Sequence, residues 1–299
     1  MHSILAIDVG KQRREQLQSA LTETELSKLR GLIGSLQYAV THTRPDIASR
    51  LGEVQCQIAQ PTVATLLQAN KVLREAQEHS DTKIWYRAIP VKDITHISFG
   101  DASFASPKNM NSFQGPIICA TSTELDQNRQ APLSPLTWSS KKISRVVRST
   151  LSAEAFSMSQ SVDRLSWARL LWGCLVIDEF NWRNPSQGFK QMNQAIITTD
   201  CRSLFDLVTR NAIPSCEEFR TTLEVLLIRE RCAEHVHFRW IPTTLMIADP
   251  LTKVMDSSLL RTTLRSGTFR IFDEAAVLRY NAHRKQALKW LQENRSSSH

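Results

Sequence analysis

Apolar residues in the first third of the chain recur at helical intervals. Leu26, Leu29, Ile33, Leu36 and Val40 are spaced by three or four, which lays them on one stripe of an α-helix. Thr22 and Glu25 stand ahead of that stripe with the spacing of a capping box. The helix should end before Pro45, because the residue preceding a proline avoids the α region. A second stripe, Ile47, Leu51, Val54 and Ile58, stops at Pro61, and a third runs through Val63, Leu66, Leu67, Val72, Leu73 and Ala76. Residues 22–82 therefore predict a small helical module, preceded by a segment, 1–21, to which the pattern assigns no element.

From Lys83 the pattern changes. The runs KIWYRAI, ITHISFG, GPIICATS and PLTWSSK are β-like and are separated by Pro, Gly, Asn and Ser. A long amphipathic helix follows from about Leu151, with Leu151, Ala155, Met158, Val162, Leu165 and Leu171 on one side. Beyond a loop near 181–188 come the strand QAIITTD, the helical SLFDLVTR, a helix from Glu217 to about Ala233, the strand HVHFRWI and a short helix around MIADPLTKVM. Three consecutive strands, a helix, a strand, helices, a strand and a helix predict an α/β domain over 83–256, a mixed β-sheet flanked by helices. Residues 257–299 predict a basic helical extension, with its own helix from Glu274.

Composition narrows the setting. At 299 residues, 41% hydrophobic and 22% charged, the chain has apolar content for two cores. Its apolar runs fall short of a membrane span, and the start carries no cleavage-type site, so no membrane partner is expected. The six cysteines are scattered without a C-x-x-C pair, which predicts reduced thiols in an intracellular protein. The net charge of +8 suits a polyanionic partner. Its sharpest concentration is WSSKKISRVVR, where Lys141, Lys142, Arg145 and Arg148 follow one another with no acid between them, either as a solvated strip or as a phosphate-binding one.

Four acids change the picture further. Along ITHISFGDASFA, strand alternation puts Asp101 on the side of Ile97 and Phe99, which points it into a core. An unpaired carboxylate is costly there, so it should cap a turn, pair with a base or bind a metal. Glu154 lies in the first turn of the long helix, Asp200 ends the strand AIITTD, and Asp249 opens the last short helix. Each has a separate local explanation as a cap or turn residue. All four, however, sit at strand ends or helix starts, which in a sheet flanked by helices converge on one edge. Converging carboxylates require cations, and hard, oxygen-seeking Mg²⁺, or Mn²⁺ in its place, is the natural choice. A pair of such ions beside a basic strip describes a nuclease.

The ordered motifs LRGLIGSLQYAVTHTRPDIA, DASFA, WSSKK, LSAEAF, TDCRSL and IADPLTK, spread over Leu26 to Met255, resemble the carboxyl-terminal part of the Pol polyprotein of Ty1/copia-type retrotransposons. The resemblance implies a thumb or connection module over 22–82 and a ribonuclease H-like domain over 83–256. It implies an endonuclease that hydrolyses the RNA strand of RNA–DNA hybrids, with Asp101, Glu154, Asp200 and Asp249 binding two Mg²⁺ ions, and Lys141 and Lys142 near the hybrid. Arg145 and Arg148 extend that basic strip. The polymerase part of the same polyprotein is an implied partner. No two aspartates are adjacent in these residues, and a copia-type polymerase centre needs such a pair, so the chain should extend no primer. Cys201 stands where the family has Asn, and Met246 where it has Gln; neither change removes a presumed ligand. The rival reading is a catalytically decayed, nucleic-acid-binding remnant of the same fold. His235 and His237 read as a solvated strand face, and Trp167 and Trp172 as core packing.

Overall fold

The computed structural model describes residues 4–105 and 111–272. A short helix, α1 (Lys11–Glu15), leads into α2 (Glu23–His42), α3 (Ala48–Gln55) and α4 (Val63–Glu78), which lie where the three apolar stripes place them. The capping box at the start of α2 is reciprocal. Glu25 N donates to Thr22 Oγ1 at 3.2 Å, and Thr22 N donates to the Glu25 carboxylate at 2.9 Å. A 3₁₀ turn over Pro45–Ile47 joins α2 to α3. It is clamped by Arg44, whose guanidinium meets Asp46 at 2.8 and 2.9 Å and donates to the Ala76 carbonyl at 2.7 Å, all of it buried. Bidentate geometry and the extra bond give this buried pair the partners it needs.

The sheet begins with β1 (Ile94–Ser103), β2 (Phe113–Ser122) and β3 (Ala131–Trp138), each antiparallel to the one before it, while the two-residue β4 (Lys141–Lys142) pairs with the start of β2. The chain continues through α5 (Thr150–Val176), α6 (Ser186–Phe189), β5 (Ala195–Thr199), α7 (Arg202–Thr209), α8 (Phe219–Cys232) and β6 (Val236–Trp240). It closes with α9 (Asp249–Thr252), α10 (Ser258–Ser266) and β7 (Thr268–Phe269). The strand order is β6-β5-β1-β2-β3-β7, with β5 and β6 parallel to β1 and β7 antiparallel to β3. This is the mixed sheet flanked by helices that the element order predicts.

Strand alternation sorts the sheet into two cores. Ile97, Phe99, Ile117 and Cys119 join the buried residues of α2, α3 and α4 in one cluster. Ile118 and Ile197 face the other way, onto Ala155, Met158 and Val162 of α5 and Val225 and Ile228 of α8. The helical module and one face of the sheet thus share a continuous apolar interior, and a fully buried leucine in it, such as Leu66 or Leu73, would cost about 2–5 kcal/mol to truncate to alanine.

Three expectations are corrected. Residues 83–89 form no strand. Trp85 N donates to the Leu264 carbonyl and Tyr86 Oη to the Pro135 carbonyl, while the edge of β3 at Ala131–Leu133 is already taken by residues 267–269 and Pro135 beyond it offers no N–H for a ladder. Trp167 is 64% exposed and Leu171 58%, not core; with Trp172 they line an open groove against His96 of β1 and Leu136 of β3. His237 is an exposed strand residue, as its pattern predicts, with its Nδ1 2.8 Å from Asp126 Oδ1. Residues 257–272, assigned by sequence to the C-terminal extension, supply α10 and β7, and the helix read from Glu274 lies outside the described residues. All six cysteines are free thiols, and among the described residues no helix is long and apolar enough to cross a membrane.

Candidate metal centre

Register brings the first two acids together. β1 and β5 are parallel, with Ile97 beside Ile196, Ser98 beside Ile197 and Phe99 beside Thr198. Continuing that register puts Asp101 beside Asp200, just past the end of β5. Asp101 is fully buried on the side of Ile97 and Phe99, as alternation predicts. Glu154 arrives from the opposite layer, on the first turns of α5, whose N-cap is Ser149: its side chain accepts from Ser152 N at 3.1 Å. Ser157, one turn further on, donates to the Asp101 carbonyl at 2.6 Å and ties α5 to β1 at this point. Gly100 permits the approach: a Cβ there would come within 2.7 Å of Ser161 Oγ and 3.0 Å of Met158 Cε.

Asp101, Glu154 and Asp200 each offer a carboxylate oxygen within 4.8 Å of the others. Asp249, also buried, is outside that trio and stands beside it through Lys253, whose Nζ lies 2.6 Å from Asp249 Oδ1 and 3.3 Å from Asp101 Oδ1. Thr252 Oγ1 donates to the other Asp101 oxygen. Thr252 and Lys253 lie within the IADPLTK motif, but sequence reasoning gave them no role. The spacing of Asp249 and Lys253, four apart at the start of a helix, was the signal for their ion pair.

The electrostatics follow from burial and crowding. Asp101 is raised to about 7, first by burial and then by the charges of Asp249 and Asp200, against the pull of Lys253 and the Thr252 bond. Glu154 is raised well above the usual carboxylate range by burial and by Asp101 and Asp200. Asp200 is raised by burial, with Thr243 opposing by hydrogen bonding and Asp249 adding repulsion. The Lys253 ammonium resists burial but is held more firmly protonated than usual by Asp101 and Asp249. The residues fit a hard divalent cation: every donor is a carboxylate oxygen, and the buried Glu154 Oε2 has no hydrogen-bond partner among the described residues.

Glu154, Thr252 and Lys253 open onto a cleft of about 490 Å³, shared with Ser49, Glu53 and Phe113. The cleft therefore lies between the helical module and the sheet. A larger cavity, about 1090 Å³, lies between the N-terminal segment, α3 and α4. It adjoins the cleft at Glu53 and Val254, but none of the converging acids lines it, and we assign it no chemistry. Of the basic strip, Lys141, Lys142 and Arg148 are exposed. Arg145 is engaged: it pairs with Glu224 at 2.9 Å and stacks 4.0 Å from the centroid of Phe156.

A mixed α/β sheet with buried acids converging where strands end defines the class of the molecule as far as geometry takes it. Comparison with known proteins adds a relative. Over 152 residues, half of this chain, it is 28% identical to a retrovirus-related Pol polyprotein from transposon RE1 of Arabidopsis thaliana. The chain spans only 9% of that polyprotein's length. No family model matches. Solved structures that overlap the chain include an N-terminal ribonuclease H domain from Mycobacterium tuberculosis (10% identity, 52% of this chain and 89% of that one, TM-score 0.35). Ribonuclease H1 from the archaeon Halobacterium salinarum overlaps 55% of this chain and 96% of its own, at 10% identity and TM-score 0.35.

Proposed function

We propose that the chain is a divalent-cation-dependent ribonuclease H, which hydrolyses the RNA strand of an RNA–DNA hybrid as part of a copia-type retroelement Pol product. The observation that carries this reading is the convergence of Asp101, Glu154 and Asp200 within 4.8 Å from three separate elements, with a Glu154 oxygen left unpartnered. The ordered motifs and the similarity to a transposon Pol polyprotein support it. So does a cleft beside the acids, flanked by a helical module that we assign to thumb or connection duty.

Asp101, Glu154 and Asp200 would hold Mg²⁺ or Mn²⁺, with Asp249 completing the acidic wall. When bound, such an ion lowers the pKa of water and neutralises charge on the scissile phosphate. The protein's own groups do the positioning. Thr252 fixes the rotation of the Asp101 carboxylate through one oxygen, and the Ser157 bond fixes its backbone. Lys141, Lys142 and Arg148 would grip phosphates, so that A-form shape and the 2′-hydroxyl set specificity in place of base identity.

The test is cleavage of end-labelled RNA–DNA hybrid, duplex DNA and duplex RNA by the full chain, each with Mg²⁺ and with EDTA. The expected result is Mg²⁺-dependent cutting of the hybrid's RNA strand alone. Equal cutting of duplex DNA would overturn the substrate assignment, and binding of hybrid without any cutting would favour the decayed remnant.

A further inference from the structure

Helix α5 is apolar on two faces. Inward, Met158, Val162 and Leu165 join the core beneath the sheet. Outward, Trp167, Leu171 and Leu175 follow one another at intervals of four, and all three are exposed, Leu175 by 78%. Successive helical residues turn by about 100°, so Trp167 and Leu175 lie within about 40° of Leu171 on either side, in one stripe. Along one flank of the stripe runs the groove of about 480 Å³ that α5 shares with His96 and Leu136. A surface helix ordinarily keeps its outer side polar, and a contiguous apolar patch there marks a contact with another macromolecule.

The charges at the two ends of the stripe select the partner. Arg164 lies on the stripe seven residues before Leu171, partly buried in the wall of the groove. Asp178, seven residues after Leu171, and Glu179 follow the last turn of α5, and both are exposed. Among the described residues none of these three has an ion-pair partner. The stripe therefore carries a cation at one end, acids at the other and Leu171 midway. Turned end over end about Leu171, it matches itself: Leu171 meets Leu171, Trp167 meets Leu175, and Arg164 meets Asp178 and Glu179. Self-complementarity of this kind is what a two-fold, isologous interface requires, and neither a nucleic acid nor an unrelated protein would impose it. We propose that α5 pairs antiparallel with α5 of a second copy of this chain, with the two-fold axis at Leu171. Glu154 precedes Leu171 by 17 residues, roughly 25 Å along the helix, so the pairing sets the two acidic clefts at opposite ends, away from the contact.

Sedimentation equilibrium of the full chain, without nucleic acid or metal, tests this independently of cleavage. Wild type should pass from 34.0 kDa to twice that mass as its concentration rises through the micromolar range. Leu171→Glu sets like charges face to face on the axis and should weaken the association by about a hundredfold. Arg164→Glu should weaken it by roughly tenfold. Adding Asp178→Arg and Glu179→Arg to that variant should restore it, because each reversed charge then meets a reversed partner. Thermal melts of the same samples show that each variant is folded. A wild type that stays monomeric, a Leu171→Glu variant that still pairs, or a charge reversal that restores nothing would overturn the inference. A monomeric wild type whose Leu171→Glu variant binds hybrid less tightly would assign the face to nucleic acid, and one whose variant melts lower would assign it to a contact within the chain; either outcome also overturns the pairing.

Discussion

Replacing Asp101 by Asn should change how stability depends on pH, in a direction opposite to that of an ordinary capping acid. Asn keeps the shape and an acceptor for Thr252 Oγ1 but cannot ionise. Burial and the neighbouring acids raise Asp101 from 3.8 to about 7 in the fold. Below 3.8 both folded and unfolded states are protonated, and nothing is lost. Between 3.8 and about 7 the unfolded chain sheds the proton that the folded protein keeps, so wild-type stability falls as pH rises, until the loss is complete above the folded value. Each tenfold step in proton affinity is worth about 1.4 kcal/mol, so from pH 5 to pH 8 Asp101→Asn should gain about 3 kcal/mol on wild type. In a protein of this size that is roughly 6–12 °C in Tm. Buried His96, pulled down to about 4 mainly by desolvation, contributes the opposite slope up to its ordinary value, but it does so in both proteins and drops out of the difference. Thermal melts in EDTA at half-unit steps of pH would measure this difference. An offset between the two proteins that stays constant from pH 5 to 8 would refute the reasoning, because the carboxyl would then titrate as it does in the unfolded chain.

Gly115→Ala should lower stability by about 1–3 kcal/mol and reduce cleavage further than that loss explains, since the new methyl presses on the turn carrying Asp249 and Lys253; matched melts and single-turnover rates would separate the two effects. Asp46→Ala strands the buried Arg44 guanidinium and should cost about 3–5 kcal/mol, read by urea unfolding, with cleavage unchanged in the fraction that remains folded. Reversing Lys141 and Lys142 to Glu should weaken hybrid binding at every sequence and flatten its dependence on the logarithm of salt by roughly 2, at about 0.9 per phosphate contact; fluorescence anisotropy at several salt concentrations would show it.

The helices were legible because each signal was local. The α2 capping box, the prolines at 45 and 61 and the three apolar stripes act within a turn or two of themselves, and the helices fell where they point. The inward aim of Asp101 was legible from the parity of Ile97 and Phe99, and Asp200 from its place at the end of an apolar strand. What was not legible depends on contacts between distant segments. Residues 83–89 look like a strand, but whether a strand forms depends on its neighbour, and the edge of β3 is taken by β7 up to Leu133 and carries Pro135 beyond it. Leu171 follows the helical stripe of α5 and Trp167 sits in a Leu-rich helix, yet neither signal tells that the two line an open groove against His96 and Leu136. Lys253 lies 152 residues from Asp101, and only the packing of α9 on β1 and β2 brings its ammonium between Asp101 and Asp249. Arg145 reads as one of four free positive charges until α8 places Glu224 against it.

The central claim is that carboxylates from β1, α5 and the end of β5 form one cation site that cuts hybrid. It is tested most directly by comparing wild type with Asp101→Asn on one labelled RNA–DNA hybrid in millimolar Mg²⁺, with cleavage read on a gel and binding by anisotropy on the same samples. We predict that wild type cuts the RNA strand, that EDTA stops it, and that Asp101→Asn binds the hybrid as tightly as wild type without cutting it. Full cleavage by Asp101→Asn would contradict the account.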